Sequence, residues 1–217
     1  MNKKNQHEYT SISYFPASKR QKELAAERSP FFSLSQLSER LAVRFVAVAR
    51  IYFNIFYKSM LTKEVAMSGL EPGASVLHIG GGAYPFTAIY LARKGYRVDA
   101  CDCNSTAVEI SENLVKKNGL EDLITILHKS GCRVDCSNYD AVWISLNICP
   151  KERVLEQSWE SLKQGGTLVY RKLPAWLALF GKKDLDFNGN EGTGIKKALS
   201  GLGAESVTLK KTCERSI

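Results

Sequence analysis

The stretch HIGGGAYPFT, residues His78–Thr87, decides the fold, and it follows a short apolar segment at Ser75–Ile79. A glycine cluster directly after an apolar strand is typical of a nucleotide-binding turn, because glycine permits positive φ and close approach of a ligand to the backbone. The dinucleotide pattern G-x-G-x-x-G needs its third glycine so that helix and strand pack closely. That position holds Pro85, which suits the first turn of a helix. The turn therefore disfavours a cofactor that carries a pyrophosphate.

Beyond this turn, short apolar segments alternate with helical segments. The pattern predicts strands at Ser75–Ile79, Arg97–Cys101, Leu123–Leu127, Asp140–Ser145, Thr167–Tyr170 and Ser206–Lys210, and helices at Pro85–Lys94, Ser105–Asn118, Lys151–Lys163 and Ile195–Leu202. Apolar strands separated by helices indicate a parallel sheet that is covered on both faces. The predicted fold class is α/β, with a doubly wound, mostly parallel sheet. Ligands of such sheets bind beyond the carboxyl ends of the strands.

The segment before the sheet is predicted to be helical. Between Ser33 and Gly69, apolar residues recur at spacings of three and four, which indicates one face of a long amphipathic helix. We therefore divide the chain into an N-terminal helical region, residues 1–70, and a ligand-binding domain, residues 71–217. Arg44 and Arg50 interrupt the apolar run, which is too broken for a membrane span of about 20 residues. The polar N-terminus carries no secretory signal, so we expect a cytoplasmic protein.

The net charge and the cysteine spacing bear on whether the chain binds nucleic acid or a metal. The formal net charge is +8, and much of the basic excess lies near the two ends of the chain. A nucleic-acid partner would use such charge, but no aromatic-rich basic face accompanies it, so nucleic acid is disfavoured. The pairs Cys101/Cys103 and Cys132/Cys136 lack the usual C-x2-C spacing of a zinc site. We therefore predict no metal.

Asp102 supplies the second half of the site. It ends the second predicted strand, about 20 residues after the glycines, where an acidic side chain usually accepts hydrogen bonds from a ribose. The alternative is that Asp102 caps the helix that begins near Ser105. S-adenosylmethionine (SAM) contains an adenosine and a carboxylate but no phosphate, and so matches both the turn and the acid. We predict that SAM is bound as a group donor.

The segment from about residue 75 to residue 170 resembles the class I SAM-dependent methyltransferase domain. Within it, GGGAYPFTAIYLA, residues 80–92, is similar to the G-S-G-P-L-P-L-T signature of nicotianamine synthases. It is closer still to the G-S-G-A-Y-P-M-T of the aminobutanoyltransferases that build staphylopine-type metallophores. The resemblance extends to the helix that carries Glu64, and to VYRKLPAWLALF, residues 169–180, where those enzymes carry an arginine after the fifth strand.

The resemblance implies a reaction. It is transfer of the 3-amino-3-carboxypropyl group of SAM to the amine of a small, amino acid-like acceptor, with release of methylthioadenosine, as in nicotianamine-type or opine-type metallophore synthesis. A small-molecule methyltransferase that releases adenosylhomocysteine is the alternative, and a non-catalytic SAM-binding protein is a third. The N-terminal helical region, residues 1–70, is shorter than the helical domain of the metallophore enzymes. We therefore leave open that a partner subunit, as in a homodimer, completes the site. The sequence does not identify the acceptor.

The resemblance also suggests catalytic residues, each with a plainer alternative. Glu64 would hold or deprotonate the acceptor amine, or else be an exposed helix charge beside Lys63. Tyr84 would close the pocket or orient the transferred chain, or else pack on the following helix. Arg171 would pair with a substrate carboxylate, or else be a surface arginine at a strand end.

Some positions depart from the family pattern. Ser130-Gly131 stands where many relatives carry an acid near the adenine amine, and the nearest acid, Asp135, is displaced from it. His78 replaces an acid, and a lone histidine there is more often a core residue than a catalyst. Asn147 stands where acceptor nucleophiles are often received, but no N-P-P-Y run accompanies it, which disfavours amino-group methylation of nucleic acids or glutamine. The predicted cofactor-binding residues are Gly80, Gly81, Gly82, Ala83, Tyr84, Pro85, Asp102, Cys103, Ser130, Gly131, Ser145 and Asn147.

Overall fold

The computed structural model describes residues 57–173, 186–189, 194–199 and 205–212. Four α-helices and seven strands are formed by these residues. In chain order they are α1 (Lys58–Ser68), β1 (Ser75–Ile79), α2 (Phe86–Ala92), β2 (Arg97–Asp102), α3 (Ser105–Lys117), β3 (Ile124–His128), β4 (Ala141–Ile144), α4 (Lys151–Ser161), β5 (Thr167–Lys172), β6 (Gly194–Leu199) and β7 (Glu205–Lys210). A short 3-10 helix, Gly131–Arg133, follows β3.

The strands make one sheet with the order β3-β2-β1-β4-β5-β7-β6. Strands β1 to β5 pair in parallel, whereas β7 is antiparallel to both β5 and β6. Ile79, at the end of β1, pairs with Cys101 of β2 and with Ile144 of β4. The chain moves outward in opposite directions on the two sides of β1, so the topological switch point lies between β1 and β4. The carboxyl edge at such a point is where open α/β sheets bind ligands.

Both faces of the sheet are buried. On one face Leu77 and Ile79 of β1 pack with Leu155 and Trp159 of α4. On the other face, residues of α2 and α3 pack against the side chains of Val76, Val98, Ala100, Trp143 and Val169. Successive strand residues point to opposite faces, so strands covered on both sides read as continuous apolar runs. Short apolar runs between helical segments therefore locate β1 to β5 correctly, to within one or two residues at each end.

The predicted helix at Ile195–Leu202 is wrong. Its described part is the edge strand β6, Gly194–Leu199, which pairs antiparallel with β7. Ile195, Ala198 and Leu199 recur at the spacing of a helix, but backbone pairing with β7 overrides that local preference. Because β6 and β7 run antiparallel to their neighbours, the sheet is mostly rather than wholly parallel, as predicted.

Helix α1 is the described end of the long helix predicted from Ser33. It terminates at Gly69, whose φ of 63° is left-handed and free of strain only for glycine. The earlier part of that prediction, residues 33–56, and most of the predicted N-terminal region lie outside the described residues. None of the described helices combines the length and the apolar character needed to cross a bilayer.

Candidate functional site at the carboxyl edge of the sheet

The glycine turn leaves β1 through two left-handed residues. Gly80 has a φ of 84° and Gly82 a φ of 64°. A Cβ on Gly80 would collide with the side chain of Ile148 and approach Ser145 Cβ to 3.2 Å. The left-handed backbone conformation therefore requires glycine at position 80, and a side chain there would also have to displace Ile148.

The N–H groups of this turn bind to the end of β2. Gly80 N and Gly81 N donate to the carbonyl oxygen of Cys101 at 2.8 and 3.0 Å. Gly82 N donates to Asp102 Oδ2 at 2.8 Å. A phosphate cradle uses such N–H groups to bind the anion, but here they are already occupied. The geometry therefore agrees with a ligand that carries no pyrophosphate.

Asp102 lies half-buried beside the turn. Oδ2 accepts from Gly82 N, and Oδ1 accepts from Asn104 N at 2.9 Å. Because a carboxylate offers about four acceptor positions, Asp102 can also accept hydrogen bonds from ligand hydroxyls. The alternative that Asp102 caps α3 is wrong, since the cap is Asn104, whose Oδ1 accepts from Thr106 N and Ala107 N.

The loop after β3 lies next to the loop after β2. Lys129 N donates to the carbonyl oxygen of Asp102 at 3.1 Å, and the His128 ring lies 3.2 Å from the carbonyl oxygen of Cys103. Ser130 then leads into the 3-10 helix that begins with Gly131. The predicted sugar-binding and adenine-binding segments are therefore neighbours. No group of three or more potential metal ligands occurs among the described residues.

Tyr84 packs against the helix that follows it. Its ring centroid lies 3.9 Å from that of Phe86, and the side chain is half-buried. Phe86 in turn stacks on Tyr57 at 5.7 Å. The plainer packing role of Tyr84 is thus present. Ala83 and Pro85 are buried on either side of it.

Ser145 and Asn147 follow β4 across the switch point from the glycine turn. Ser145 N donates to the carbonyl oxygen of Ile79 at 3.0 Å, and Ser145 Oγ donates to that of Gly80 at 2.8 Å. The Ser145 hydroxyl also meets His78 Nε2 at 2.9 Å. Asn147 is exposed in the loop that follows β4. The predicted core placement of His78 is confirmed, because the side chain is only 2% exposed.

Glu64 and Arg171 form a buried ion pair under α1. Glu64 is fully buried, and Arg171 is 6% exposed. Arg171 Nε donates to Glu64 Oε1 at 2.8 Å, and Nη2 donates to Oε2 at 2.9 Å. The two alternatives that placed Glu64 and Arg171 at the surface are therefore wrong. Arg171 lies within β5 because that strand extends to Lys172 rather than ending at Tyr170.

Three further side chains complete this polar centre. Ser206 Oγ donates to Glu64 Oε1 at 2.6 Å, Trp143 Nε1 donates to Oε2 at 3.1 Å, and Arg171 Nη2 also meets Thr87 Oγ1 at 3.2 Å. Trp143 and Ser206 lie in apolar strand segments without a motif, and Thr87 ends the glycine-turn stretch but gives no sign in the sequence of its contact with Arg171. Thr87 lies in the first turn of α2, directly after the glycine turn, and so links the ion pair to the ligand-binding edge.

A shallow cavity of about 310 Å³ lies at the other end of the sheet. Its lining includes Ala74, Asp140 and Gly165, which precede β1, β4 and β5. Parallel sheets bind their ligands at the carboxyl ends of the strands, and this cavity is at the amino ends. We therefore assign the candidate site to the glycine turn.

Comparison with known proteins supports the assigned fold. No family model matches the chain. The chain is similar to the ubiquinone/menaquinone biosynthesis C-methyltransferase of Hydrogenovibrio crunogenus, with 29% identity over 112 residues, 48% of this chain and 44% of that protein. It is also similar to the L-histidine 2-aminobutanoyltransferase of Yersinia pestis, with 28% identity over 121 residues, 55% of this chain and 45% of that protein. The chain spans less than half the length of these curated relatives.

Among solved structures, the chain is similar to a glutamate-to-glutamine variant of MtNAS, a nicotianamine synthase, in complex with S-adenosylmethionine. The TM-score is 0.75 at 20% sequence identity, and the match covers 90% of this chain and 80% of that one. At this identity the likeness establishes the fold. The described chain therefore has the class I SAM-dependent methyltransferase fold, and its resemblance to the nicotianamine synthase branch is confirmed at the level of the fold.

Proposed function

We propose that this chain is a SAM-dependent transferase that moves the 3-amino-3-carboxypropyl group of SAM to the amine of a small, amino acid-like acceptor. One observation carries the proposal. The N–H groups of the glycine turn donate to Cys101 and Asp102 at the end of β2. The Asp102 carboxylate, beside the turn, can still accept further hydrogen bonds. This arrangement suits a nucleoside without phosphates, whose ribose hydroxyls donate to Asp102. The similarity to an aminobutanoyltransferase supports the choice of transferred group.

The bound donor would lie along the carboxyl edge of the sheet. Asp102 would hold the ribose, the Ser130-Gly131 segment would lie along the adenine, and the amino acid end would extend over Gly80–Gly82 toward Tyr84. The amine nitrogen attacks the carbon that joins the aminocarboxypropyl chain to the sulfonium. As the new C–N bond forms, the C–S bond breaks, and its electron pair neutralises the sulfur of the departing methylthioadenosine. The contribution of the protein is chiefly the alignment of these atoms.

We assign a positioning role to Glu64. Its two oxygens accept four hydrogen bonds, from Arg171, Ser206 and Trp143, so the lone pairs that would take a proton from an amine are engaged. In this role Glu64 holds Arg171 against Thr87 at the start of α2, and thereby shapes the wall of the acceptor site. Proton removal by Glu64 would require at least one of these bonds to open.

The identity of the nucleoside product tests the proposal. The protein is incubated with SAM and a panel of amino acids and small diamines, and the products are separated by liquid chromatography with mass detection. Methylthioadenosine formed only with both protein and acceptor is the expected result. An Asp102→Ala variant is the control for adventitious breakdown of SAM.

A methyltransferase is the second candidate, because the chain is also similar to a C-methyltransferase. The same experiment separates the two, since methyl transfer releases adenosylhomocysteine. Binding of SAM without turnover across the panel would instead favour the non-catalytic alternative. If the protein bound a pyridine or flavin dinucleotide and showed no affinity for SAM, all three SAM-based functions would be excluded.

A further inference from the structure

Two thiols flank the nucleoside end of the proposed site. Cys103 follows Asp102 at the end of β2 and is exposed, and Cys132 follows Ser130-Gly131 within the 3-10 helix and is half-buried. Both are free cysteines. The group transfer proposed above uses neither sulfur, so the pair is available for other chemistry.

The two cysteines lie on neighbouring loops. Strands β2 and β3 pair in parallel, with Asp102 opposite His128. Beyond that pair, Lys129 N donates to the carbonyl oxygen of Asp102 at 3.1 Å, and His128 Nε2 lies 3.2 Å from the carbonyl oxygen of Cys103. These contacts hold the backbone at Cys103 against the segment that leads into the 3-10 helix of Cys132.

The two sulfur atoms are also close enough to interact. Desolvation of the Cys103 sulfur, and then the nearby charge of Asp102, raise the pKa of this thiol, and Cys132 contributes in the same direction. A Coulombic influence falls with distance, so Cys132 belongs to the immediate surroundings of Cys103. The raised pKa keeps Cys103 protonated at neutral pH, so the pair is suited to a slow response to sustained oxidation rather than to rapid catalysis.

We propose that Cys103 and Cys132 form a reversible disulfide that closes the nucleoside site under oxidising conditions. The oxidant is a hydroperoxide, represented here by hydrogen peroxide. The Cys103 sulfur breaks the O–O bond and takes one oxygen to become a sulfenic acid, and its thiol proton leaves with the second oxygen as water. Cys132 Sγ then attacks that sulfur, so that the S–S bond forms as the S–O bond breaks, and the released hydroxide takes the Cys132 proton. The two thiols lose two electrons, and one peroxide is reduced to two waters.

The disulfide and the bound nucleoside exclude each other. A disulfide brings its two Cβ atoms to about 3.8 Å. In the proposed function, Asp102 holds the ribose and Ser130-Gly131 lies along the adenine, so each cysteine directly follows a residue that holds the ligand. Drawing the two loops together removes the space that the nucleoside needs. The inference rests on the proposed function for this consequence, whereas formation of the disulfide depends only on the two thiols.

Peptide mapping of the purified chain tests the proposal. Reduced protein is treated with hydrogen peroxide, with and without saturating methylthioadenosine, and is then digested without reduction and mapped by mass spectrometry. A peptide that joins Cys103 to Cys132 is expected, and bound nucleoside should slow its formation at least about fivefold. Calorimetry should show SAM binding at least about tenfold weaker after oxidation, with the affinity restored by dithiothreitol.

Two serine variants identify the thiols involved. Cys132→Ser should yield no cross-linked peptide, and its affinity for SAM after peroxide should stay within about threefold of its affinity before treatment. Cys149→Ser removes an exposed thiol in the loop after β4, and it should form the cross-link as the wild type does. An equal loss of SAM binding in wild type and Cys132→Ser would assign the loss to oxidation elsewhere and overturn the proposal.

Two results on the wild type alone would also overturn it. One is treated protein in which Cys103 and Cys132 are not joined, or are joined to other cysteines. The other is cross-linked protein that binds SAM as tightly as the reduced protein does. Reduced protein that binds neither SAM nor methylthioadenosine would reject the proposed function, and with it the effect of the disulfide on binding.

Discussion

Asp102 has two tasks at the level of single residues. Its carboxylate accepts hydrogen bonds from Gly82 N and Asn104 N, and so fixes both the glycine turn and the start of α3. In the proposed function it also receives the ribose hydroxyls. The half-buried carboxylate is suited to both tasks, because hydrogen bonds to a charged acceptor contribute more than bonds between neutral groups.

We expect Asp102→Asn to weaken SAM binding by roughly 10- to 100-fold. An amide has one acceptor oxygen in place of two, so a bond to a charged group worth about 1.5 to 3 kcal/mol is lost. Isothermal titration calorimetry with SAM measures the change directly.

The matched control for Asp102 is Asp135→Asn. Asp135 is an exposed acid after the 3-10 helix, and among the described residues it hydrogen-bonds to Ser137. Its dissociation constant for SAM should stay within about twofold of that of the wild type. An Asp102→Asn variant that binds SAM as tightly as the wild type would place the ribose elsewhere.

At the level of secondary structure elements, Asp140 joins the amino ends of three strands. Oδ2 accepts from Ser75 N at 2.7 Å and from Ser75 Oγ at 3.1 Å, which connects β4 to β1. Oδ1 pairs with Lys163 Nζ at 2.7 Å, in the segment that leads into β5. The bond to Lys163, followed by the bond from Ser75 N, lowers the pKa of Asp140 below its usual value of 3.8.

The lowered pKa determines the pH dependence of stability. A carboxyl group with a depressed folded-state pKa stabilises the fold above its unfolded-state pKa, and this contribution is lost as pH falls through the folded-state value. We expect Asp140→Asn to lower the free energy of unfolding by about 1 kcal/mol at pH 7, a modest value because the side chain is 38% exposed. The deficit should shrink as pH falls below 3.8.

Urea denaturation of the wild type and of Asp140→Asn across this pH range tests the prediction. Asp122→Asn, an exposed acid beyond α3, serves as the control and should not change the pH profile. A deficit of equal size at every pH would mean that the charge of Asp140 plays no part, and that its hydrogen bonds to Ser75 alone connect β4 to β1.

On the scale of the whole molecule, the Glu64–Arg171 pair connects α1 to the centre of the sheet. Arg171 belongs to β5, 107 positions along the chain from Glu64, and Ser206 belongs to β7, 142 positions away. Trp143 adds a contact from β4. One buried carboxylate thus gathers four elements that are distant in sequence.

Removing one partner of this pair should be far more damaging than removing both. Glu64→Leu or Arg171→Met alone leaves an uncompensated buried charge and should cost about 3 to 5 kcal/mol of unfolding free energy. The double variant replaces both charges with apolar groups and should recover a large part of that loss. A double-mutant cycle from urea unfolding measures the coupling.

Lys197→Ala is the control for this cycle. Lys197 is 46% exposed and pairs with Glu205 at 3.7 Å, so the variant should cost less than about 1 kcal/mol. Single variants of Glu64 and Arg171 that cost no more than this control would show that the pair is not structural. A Glu64→Gln variant that stays folded but loses turnover would return Glu64 to the acceptor-binding role that the family resemblance implies.

The signals that determine the fold are local in the sequence, whereas the polar residues that contact one another in the folded protein are far apart along the chain. The sequence by itself determined the parallel α/β core, the glycine turn and the position of Asp102, because each depends on local signals: apolar runs, a backbone that only glycine adopts easily, and a short spacing between consecutive strands. For the same reason it failed at β6, where pairing with β7 outweighs a local helical spacing.

Only the tertiary structure decided what the polar residues do. Glu64 and Arg171 looked like surface or substrate-facing charges, and became a buried pair because β5 and β7 bring their donors under α1. His78 looked like an inert core residue, yet its buried Nδ1 has no hydrogen-bond partner among the described residues, while its Nε2 lies 2.9 Å from the hydroxyl of Ser145, 67 positions away. Hydrogen-bond partners that are remote in sequence leave no periodic trace, and burial gives these bonds their strength.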